Sequence, residues 1–173
     1  MRHSRFVIFV LCVAVAACAS VQTRNGPGGY TYRLKRDKTI KVELPAPETW
    51  TAEFVSQPTS SFMVRSPDSR VLVMITLAPM ETDMSRLLQE AKKHFEQAAQ
   101  AHTLTFHDIE GTVSGRRARG LELDGEKAKV TLLAVDHDRG IYVVLLVIAK
   151  DADQNERDAG AFIFEQIRII EDQ

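Results

Sequence analysis

Both cysteines of this 173-residue chain, Cys12 and Cys18, lie within its first 18 residues. No disulfide can therefore cross-link the 155 residues that follow, and no cysteine there can bind a metal or act as a nucleophile. That part of the chain must be held together by an apolar core, which a domain of this size can supply. The fold is thereby restricted to one whose helices and strands bury their own hydrophobic faces.

The segment that carries the cysteines has the features of a lipoprotein signal peptide. The basic residues Arg2 and Arg5 precede an apolar run over residues 6–15, about half the length that a membrane-spanning helix needs. The run ends in Val15-Ala16-Ala17-Cys18, which looks like a lipobox. We expect residues 1–17 to be a signal peptide and Cys18 to receive a diacylglyceryl group through a thioether, its freed amine then being acylated further.

Two other interpretations of this segment stay open. The general signal peptidase could use Ala17-Cys18-Ala19 as its recognition site, which would release a soluble secreted protein. Alternatively, the apolar run could be a buried N-terminal helix of a cytoplasmic protein. By analogy with the sorting rule of enterobacterial lipoproteins, Ala19 in place of Asp after the cysteine favours the outer membrane, with the domain facing the periplasm.

A tether and one globular domain are expected after Cys18. Residues 19–29 end in Gly26-Pro27-Gly28-Gly29, a composition typical of a flexible linker, and span at most ~35 Å. Residues 30–170 have the balance of a globular domain, since 45% of the chain is hydrophobic and 26% charged. Without residues 1–17 the chain has 20 basic and 23 acidic residues, a formal charge of −3, which argues against nucleic-acid binding.

Hydrophobic periodicity predicts an α+β domain in which helices cover an antiparallel β-sheet. A helix begins at Thr82 or Asp83 and continues to about residue 101, and a second helix begins after the capping residue Asp153, with Ala159, Phe162, Ile163, Gln166 and Ile167 on one side. The strand over residues 141–149 is apolar on both faces, so it is expected to be central and covered on both sides. The other predicted strands are residues 39–44, 50–55, 61–65, 71–77, 104–109, 118–123 and 130–136, with a glycine-rich bend at 111–115.

The domain resembles the PsbP-like superfamily, including the DcrB-like bacterial lipoproteins. The resemblance is carried by an opening strand into Leu44-Pro45, by Trp50 shortly after it, and by the single long mid-chain helix. A glycine-bounded strand over residues 115–123, an apolar hairpin and a closing helix complete it. The resemblance implies an α/β/α sandwich and a mostly non-enzymatic accessory or assembly role at membranes, with no catalytic motif and no cofactor to carry over.

Three sets of residues are candidate sites of chemistry, and each has a simpler structural interpretation. His137, between Asp136 and Asp138, is either a metal ligand or part of a hairpin turn. His102 and His107 are either zinc ligands or polar residues on exposed faces. Ser114 does not stand in a G-x-S-x-G motif, because Thr112 occupies the first glycine position, and it is expected in a bend between strands.

Arg116, Arg117 and Arg119 form the densest basic cluster after the signal peptide. Along a strand, Arg117 and Arg119 share one face and Arg116 points to the other. The cluster could dock an anionic partner, lipid headgroups or a cell-wall polymer. It could equally protect the edge of a sheet against aggregation.

These observations favour a non-enzymatic lipoprotein that binds or scaffolds a component of the cell envelope. Its partner would be an envelope protein or a cell-wall component. The acyl chains on Cys18 would attach it to the membrane. The alternative is a carrier domain that holds a lipid or another small apolar ligand between sheet and helix. An envelope hydrolase is a third class, without a convincing catalytic constellation.

Overall fold

The strands of this domain form two antiparallel sheets, and two helices pack on the larger one. The computed structural model describes residues 30–33, 40–55, 61–78, 82–99, 104–138 and 140–171. The predictions for residues 1–29 and for His102 lie outside these ranges. The elements of the described residues are β1 (Tyr30–Arg33), β2 (Ile40–Leu44), β3 (Thr51–Val55), β4 (Ser61–Arg65), β5 (Val71–Leu77), α1 (Met84–Ala99), β6 (Thr105–Val113), β7 (Arg116–Asp124), β8 (Ala128–His137), β9 (Gly140–Ala149), α2 (Gln154–Glu165) and β10 (Arg168–Glu171).

The larger sheet has seven strands in the order β3-β4-β5-β9-β8-β7-β6 within the described residues, and all neighbours are antiparallel. Strand β9 lies in the middle, as its doubly apolar sequence predicts. Its adjacent residues Leu145 and Leu146 point to opposite faces and are only 5% and 6% exposed. The predicted α+β class, an antiparallel sheet covered by helices, is therefore confirmed.

One face of this sheet is covered by α2 together with the small sheet β1-β2-β10. Asp153 caps α2, because its carboxylate accepts a hydrogen bond of 2.8 Å from the backbone N–H of Glu156. Ile163 of the helix and Ile169 of β10 join a single core cluster with Val71 and Leu146 of the large sheet. Helix α2 lies very close to the sheet, and this approach depends on Gly160, which is buried against Val71.

Helix α1 lies on the opposite face, across β7 and β8. Its start is fixed by Asp83, whose carboxylate accepts a 2.9 Å hydrogen bond from the backbone N–H of Arg86. Met84, Leu87 and Leu88 of the helix, together with Val143 of β9, pack against Ala134 and Ile141 of the sheet and against Ala78. No side chain over residues 84–97 is buried, so α1 contacts the sheet less closely than α2 does. Across the described residues, neither helix is long and apolar enough to cross a bilayer.

Three sequence predictions need correction. The glycine-rich bend at 111–115 is a turn of only two residues, because Gly111 pairs with Ala118 inside the β6–β7 ladder. Helix α2 ends at Glu165, so Ile167 is buried beyond the helix rather than within it. Phe162 is 54% exposed rather than part of the core-facing side, and Gln166 is also exposed. The short strands β1 and β10 were not predicted, since each has four residues and is defined by its pairing with β2.

Candidate functional site

The three arginines of the basic cluster lie on β7, which pairs with β6 on one side and with β8 on the other. The interpretation of these arginines as protection of an exposed sheet edge is therefore wrong, because β7 is an inner strand and β6 is the terminal strand among the described residues. Arg117 and Arg119 share one face, separated by the buried Ala118. In this register Arg119 lies opposite Ala134, a residue that packs under α1.

Two of the three arginines are held in ion pairs. Arg116 contacts Asp138, with 3.2 Å from Nη1 to Oδ1 and 3.4 Å from Nη2 to Oδ2. Arg117 donates from Nη2 to both carboxylate oxygens of Glu110, at 2.9 and 2.8 Å. Arg119 is exposed and has no ion pair within the described residues. Of the cluster, Arg119 is therefore the residue whose charge is most available to a partner.

Surface ion pairs also explain the two carboxyl groups whose pKa is displaced. A hydrogen bond from Arg116, together with the charge of that guanidinium, lowers the pKa of Asp138 below its ordinary value. In the same way Lys150 lowers the pKa of Asp124, with a smaller contribution from Lys129. Both carboxyl groups are at the surface, and lowered values indicate stabilised carboxylates rather than an acid prepared for proton transfer.

His137 lies at the end of the β8–β9 hairpin, as the turn interpretation of residues 136–138 predicts. Its ring stands edge-on to that of Tyr142, with 5.5 Å between ring centroids. The adjacent Asp138 is bound by Arg116. His107 is exposed on β6, opposite Glu122. Among the described residues, no three His, Cys, Asp or Glu side chains lie close enough together to hold a metal ion.

Ser114 has a structural role that the sequence pattern did not reveal. Ser114 and Gly115 have φ values of 52° and 77°, so they form the tight turn between β6 and β7, consistent with the predicted bend. The Ser114 hydroxyl accepts a 2.9 Å hydrogen bond from the N–H of Ile169, and lies 3.2 Å from the carbonyl oxygen of the same residue, to which it donates. It thereby links the large sheet to the outer side of β10.

A groove of about 450 Å³ opens at the end of the large sheet where the β4–β5, β7–β8 and β9–α2 connections meet. It lies on the α1 face of the sheet, beyond the part that α1 covers. Its apolar floor consists of Leu72, Ala128, Val147 and Ala149. A feature of the sequence indicates this site. Strands β5 and β9 are apolar on both faces, but the chain between them provides only one helix, α1, to cover the face opposite α2.

Several solved structures are similar to this chain, among them the two that follow. The cyanobacterial PsbP protein of Synechocystis aligns with a TM-score of 0.55 and 13% sequence identity, over 90% of this chain and 98% of its own. The chain has a PsbP-like fold. LpqN of Mycobacterium tuberculosis, described as involved in cell envelope biogenesis, aligns with a TM-score of 0.46 and 14% identity, over 81% of this chain and 89% of its own. No family model matches the sequence, and no curated protein is significantly similar to it.

The predicted resemblance is thus confirmed as a PsbP-like fold, and its narrower likeness to DcrB-like lipoproteins stays a prediction. A PsbP-like domain provides a covered antiparallel sheet, while any binding site depends on the surface residues of the individual chain. On this chain Arg119 is exposed without an ion pair within the described residues, and Leu72 and Val147 form part of the floor of an open groove.

Proposed function

We propose that this chain is a cell-envelope lipoprotein, attached to the membrane by acyl chains on Cys18, that presents a non-enzymatic PsbP-like domain as a binding or assembly module. The observation that carries the proposal is the sequence Val15-Ala16-Ala17-Cys18 after a short apolar run, followed by a linker and a domain of this fold. Two or more acyl chains give stable attachment to a membrane. Ala19 supports an outer-membrane position in which the domain faces the periplasm.

A binding role is supported by what the polar residues of the domain do. Arg116 and Arg117 form ion pairs, and Ser114 bonds the backbone of β10. These contacts give each of the three side chains a structural partner. Arg119 is free of ion pairs within the described residues, so it supports docking of an acidic envelope protein or cell-wall polymer.

Substitution of the cysteine tests the attachment. The Cys18→Ser variant should lose labelling by radioactive palmitate and should no longer be recovered as a mature lipoprotein in the membrane fraction. Cys12→Ser, which leaves the lipobox intact, is the matched control and should label like the wild type. Palmitate labelling of the Cys18→Ser variant, or a mature N-terminus after Ala19, contradicts the proposed attachment.

Crosslinking in native membranes tests the partner. Charge reversal by Arg119→Glu should weaken capture of an envelope component, whereas Lys93→Glu on the exposed side of α1 should leave capture unchanged. Equal capture by both variants contradicts docking through Arg119. Density-gradient separation of the inner and outer membranes tests the outer-membrane position.

A further inference from the structure

The groove at the open end of the large sheet has an apolar floor that the other described residues leave uncovered. Leu72 of β5 and Val147 of β9 are paired neighbours on the α1 face, and both are partly exposed. One pair further along β9, Leu145 is 5% exposed, and its partner on β8, Leu132, is also 5% exposed. The same face therefore changes from a closed core to an open apolar surface within two residues of one strand.

Cationic side chains surround this floor from three separate turns. Arg70, Lys127 and Lys150 line the groove, together with the acidic residues Glu126 and Asp151. Arg70 donates a 2.9 Å hydrogen bond to the Asp151 carbonyl oxygen, and its Nε lies 3.9 Å from the Asp151 carboxylate. Lys150 forms an ion pair with Asp124 outside the groove.

Lys127 differs from the other two cations because its ammonium group has no ion pair among the residues that the structure describes. It is exposed, and the residue after it, Ala128, is part of the apolar floor. A ligand with an apolar chain and one negative charge would match this arrangement, since its chain would cover the floor while its charge met the ammonium group. A neutral apolar ligand would leave Lys127 without a partner.

We propose that this groove binds a single-chain amphiphile with an anionic head group. The acyl chain lies on Leu72, Val147 and Ala149, and the head group contacts Lys127. A volume of about 450 Å³ falls in the lower half of the range for small-molecule sites, roughly 300–1,000 Å³, which favours one acyl chain over two. The inference goes beyond the envelope-module proposal, and it does not depend on whether Cys18 is lipidated.

Photocrosslinking of the full chain in its own membranes tests the site and its ligand class. The probes are palmitate carrying a diazirine on its chain, a lysophosphatidic acid carrying the same chain, and the corresponding uncharged alcohol. We expect a charged probe to label peptides that contain Leu72 or Val147, and the alcohol to label them at least about tenfold less. Preference for the carboxylate or the phosphate probe identifies the source of the head group.

Two charge reversals make the test specific. Lys127→Glu should lower labelling by the charged probe about tenfold, because it places two negative charges together. Lys93→Glu, on the exposed side of α1, should leave labelling unchanged. The proposal is overturned if the label lies elsewhere in the chain, if the alcohol labels equally well, or if Lys127→Glu has no effect. Absence of label, as when a protein partner or another segment fills the groove, also overturns it.

Discussion

Substitution of Gly160 by alanine is the sharpest test of how α2 packs on the large sheet. A Cβ atom at this position would lie 2.4 Å from Cγ1 of Val71, 3.4 Å from Cδ1 of Leu146 and 3.7 Å from Cη2 of Trp50. Val71 is fully buried and β-branched, so its χ1 angle is restricted and its methyl group is not the mobile end of a flexible side chain. Something in the helix–sheet interface must therefore shift.

The expected magnitude follows from two opposing terms. In a helix interior, replacing glycine by alanine stabilises by about 1 kcal/mol. Overpacking of a closed core costs about 1–3 kcal/mol, and the short contact with Val71 places Gly160→Ala near the upper end of that range. We therefore expect the free energy of unfolding to fall by about 2 kcal/mol, as measured by urea denaturation of a soluble form followed by circular dichroism.

A double-mutant cycle with Val71→Ala separates the clash from other effects. Once Cγ1 of Val71 is absent, Gly160→Ala should be neutral or stabilising, because the gain in helix propensity then has no steric cost. The cycle should give a coupling of about 2–3 kcal/mol, at the upper end of the values measured for residues in contact. A Gly160→Ala variant as stable as the wild type, or simple additivity in the cycle, would refute the close approach of α2.

The other predictions concern the core, a tertiary link, an ion pair and the tether. Leu145→Asp and Leu146→Asp should each largely unfold the domain, as measured by circular dichroism and thermal melting. Each variant buries an unpaired charge, whose cost is a large part of a typical domain stability of ~5–15 kcal/mol. If either variant has a Tm near that of the wild type, the corresponding face of the sheet is open. Ser114→Ala should lower the free energy of unfolding by about 1–3 kcal/mol, since it removes the bonds to buried Ile169, whereas Ser85→Ala on the exposed side of α1 should not. Because the pKa of Asp138 is lowered, its ion pair with Arg116 stabilises the fold above the ordinary carboxyl pKa, and this stabilisation is lost as pH falls through the lowered pKa. The Asp138→Asn variant lacks the pair, so its Tm should fall less on acidification than the Tm of the control variant Asp136→Asn, which keeps it. Limited proteolysis should cut residues 19–29 before the 83–101 region and leave a fragment that begins near residue 30.

The sequence was sufficient to predict those elements that are determined by their own periodicity. The bounds of β4 and β5 match the prediction, because alternating or continuous apolar residues end there at polar turns. The central place of β9 also followed from its sequence, since only a strand buried on both sides is apolar at every position. The sequence predicts the start of α1 at Thr82 or Asp83 and that of α2 after Asp153. In the structure the carboxylates of Asp83 and Asp153 accept hydrogen bonds from backbone N–H groups within the same turn.

What the sequence could not predict depends on contacts between distant residues. Strand β10 exists because Ile169 pairs with Val42, more than a hundred residues earlier in the chain. Because glycine often marks a bend, the sequence predicts one at Gly111, yet this residue continues β6, and a Cβ at this position would lie 3.3 Å from Leu133 Cδ1. The state of the arginines could not be read from sequence or from the register alone. The register places Glu110 directly opposite Arg119, yet the Glu110 carboxylate contacts the diagonal neighbour Arg117, and Arg119 has no ion pair within the described residues.

The two faces of the large sheet differ in how closely they are covered, and this difference indicates where binding disturbs the fold least. On the α2 face Gly160 and Ile163 are buried, so a ligand there would first have to separate packed side chains, and that cost would reduce its affinity. On the α1 face no side chain over residues 84–97 is buried, and the groove at the end of the sheet is already open. Binding surfaces are commonly drawn from such regions of low local stability. Arg119 and Lys127 border this same face, so a partner and an amphiphile would both bind without opening the core beneath α2.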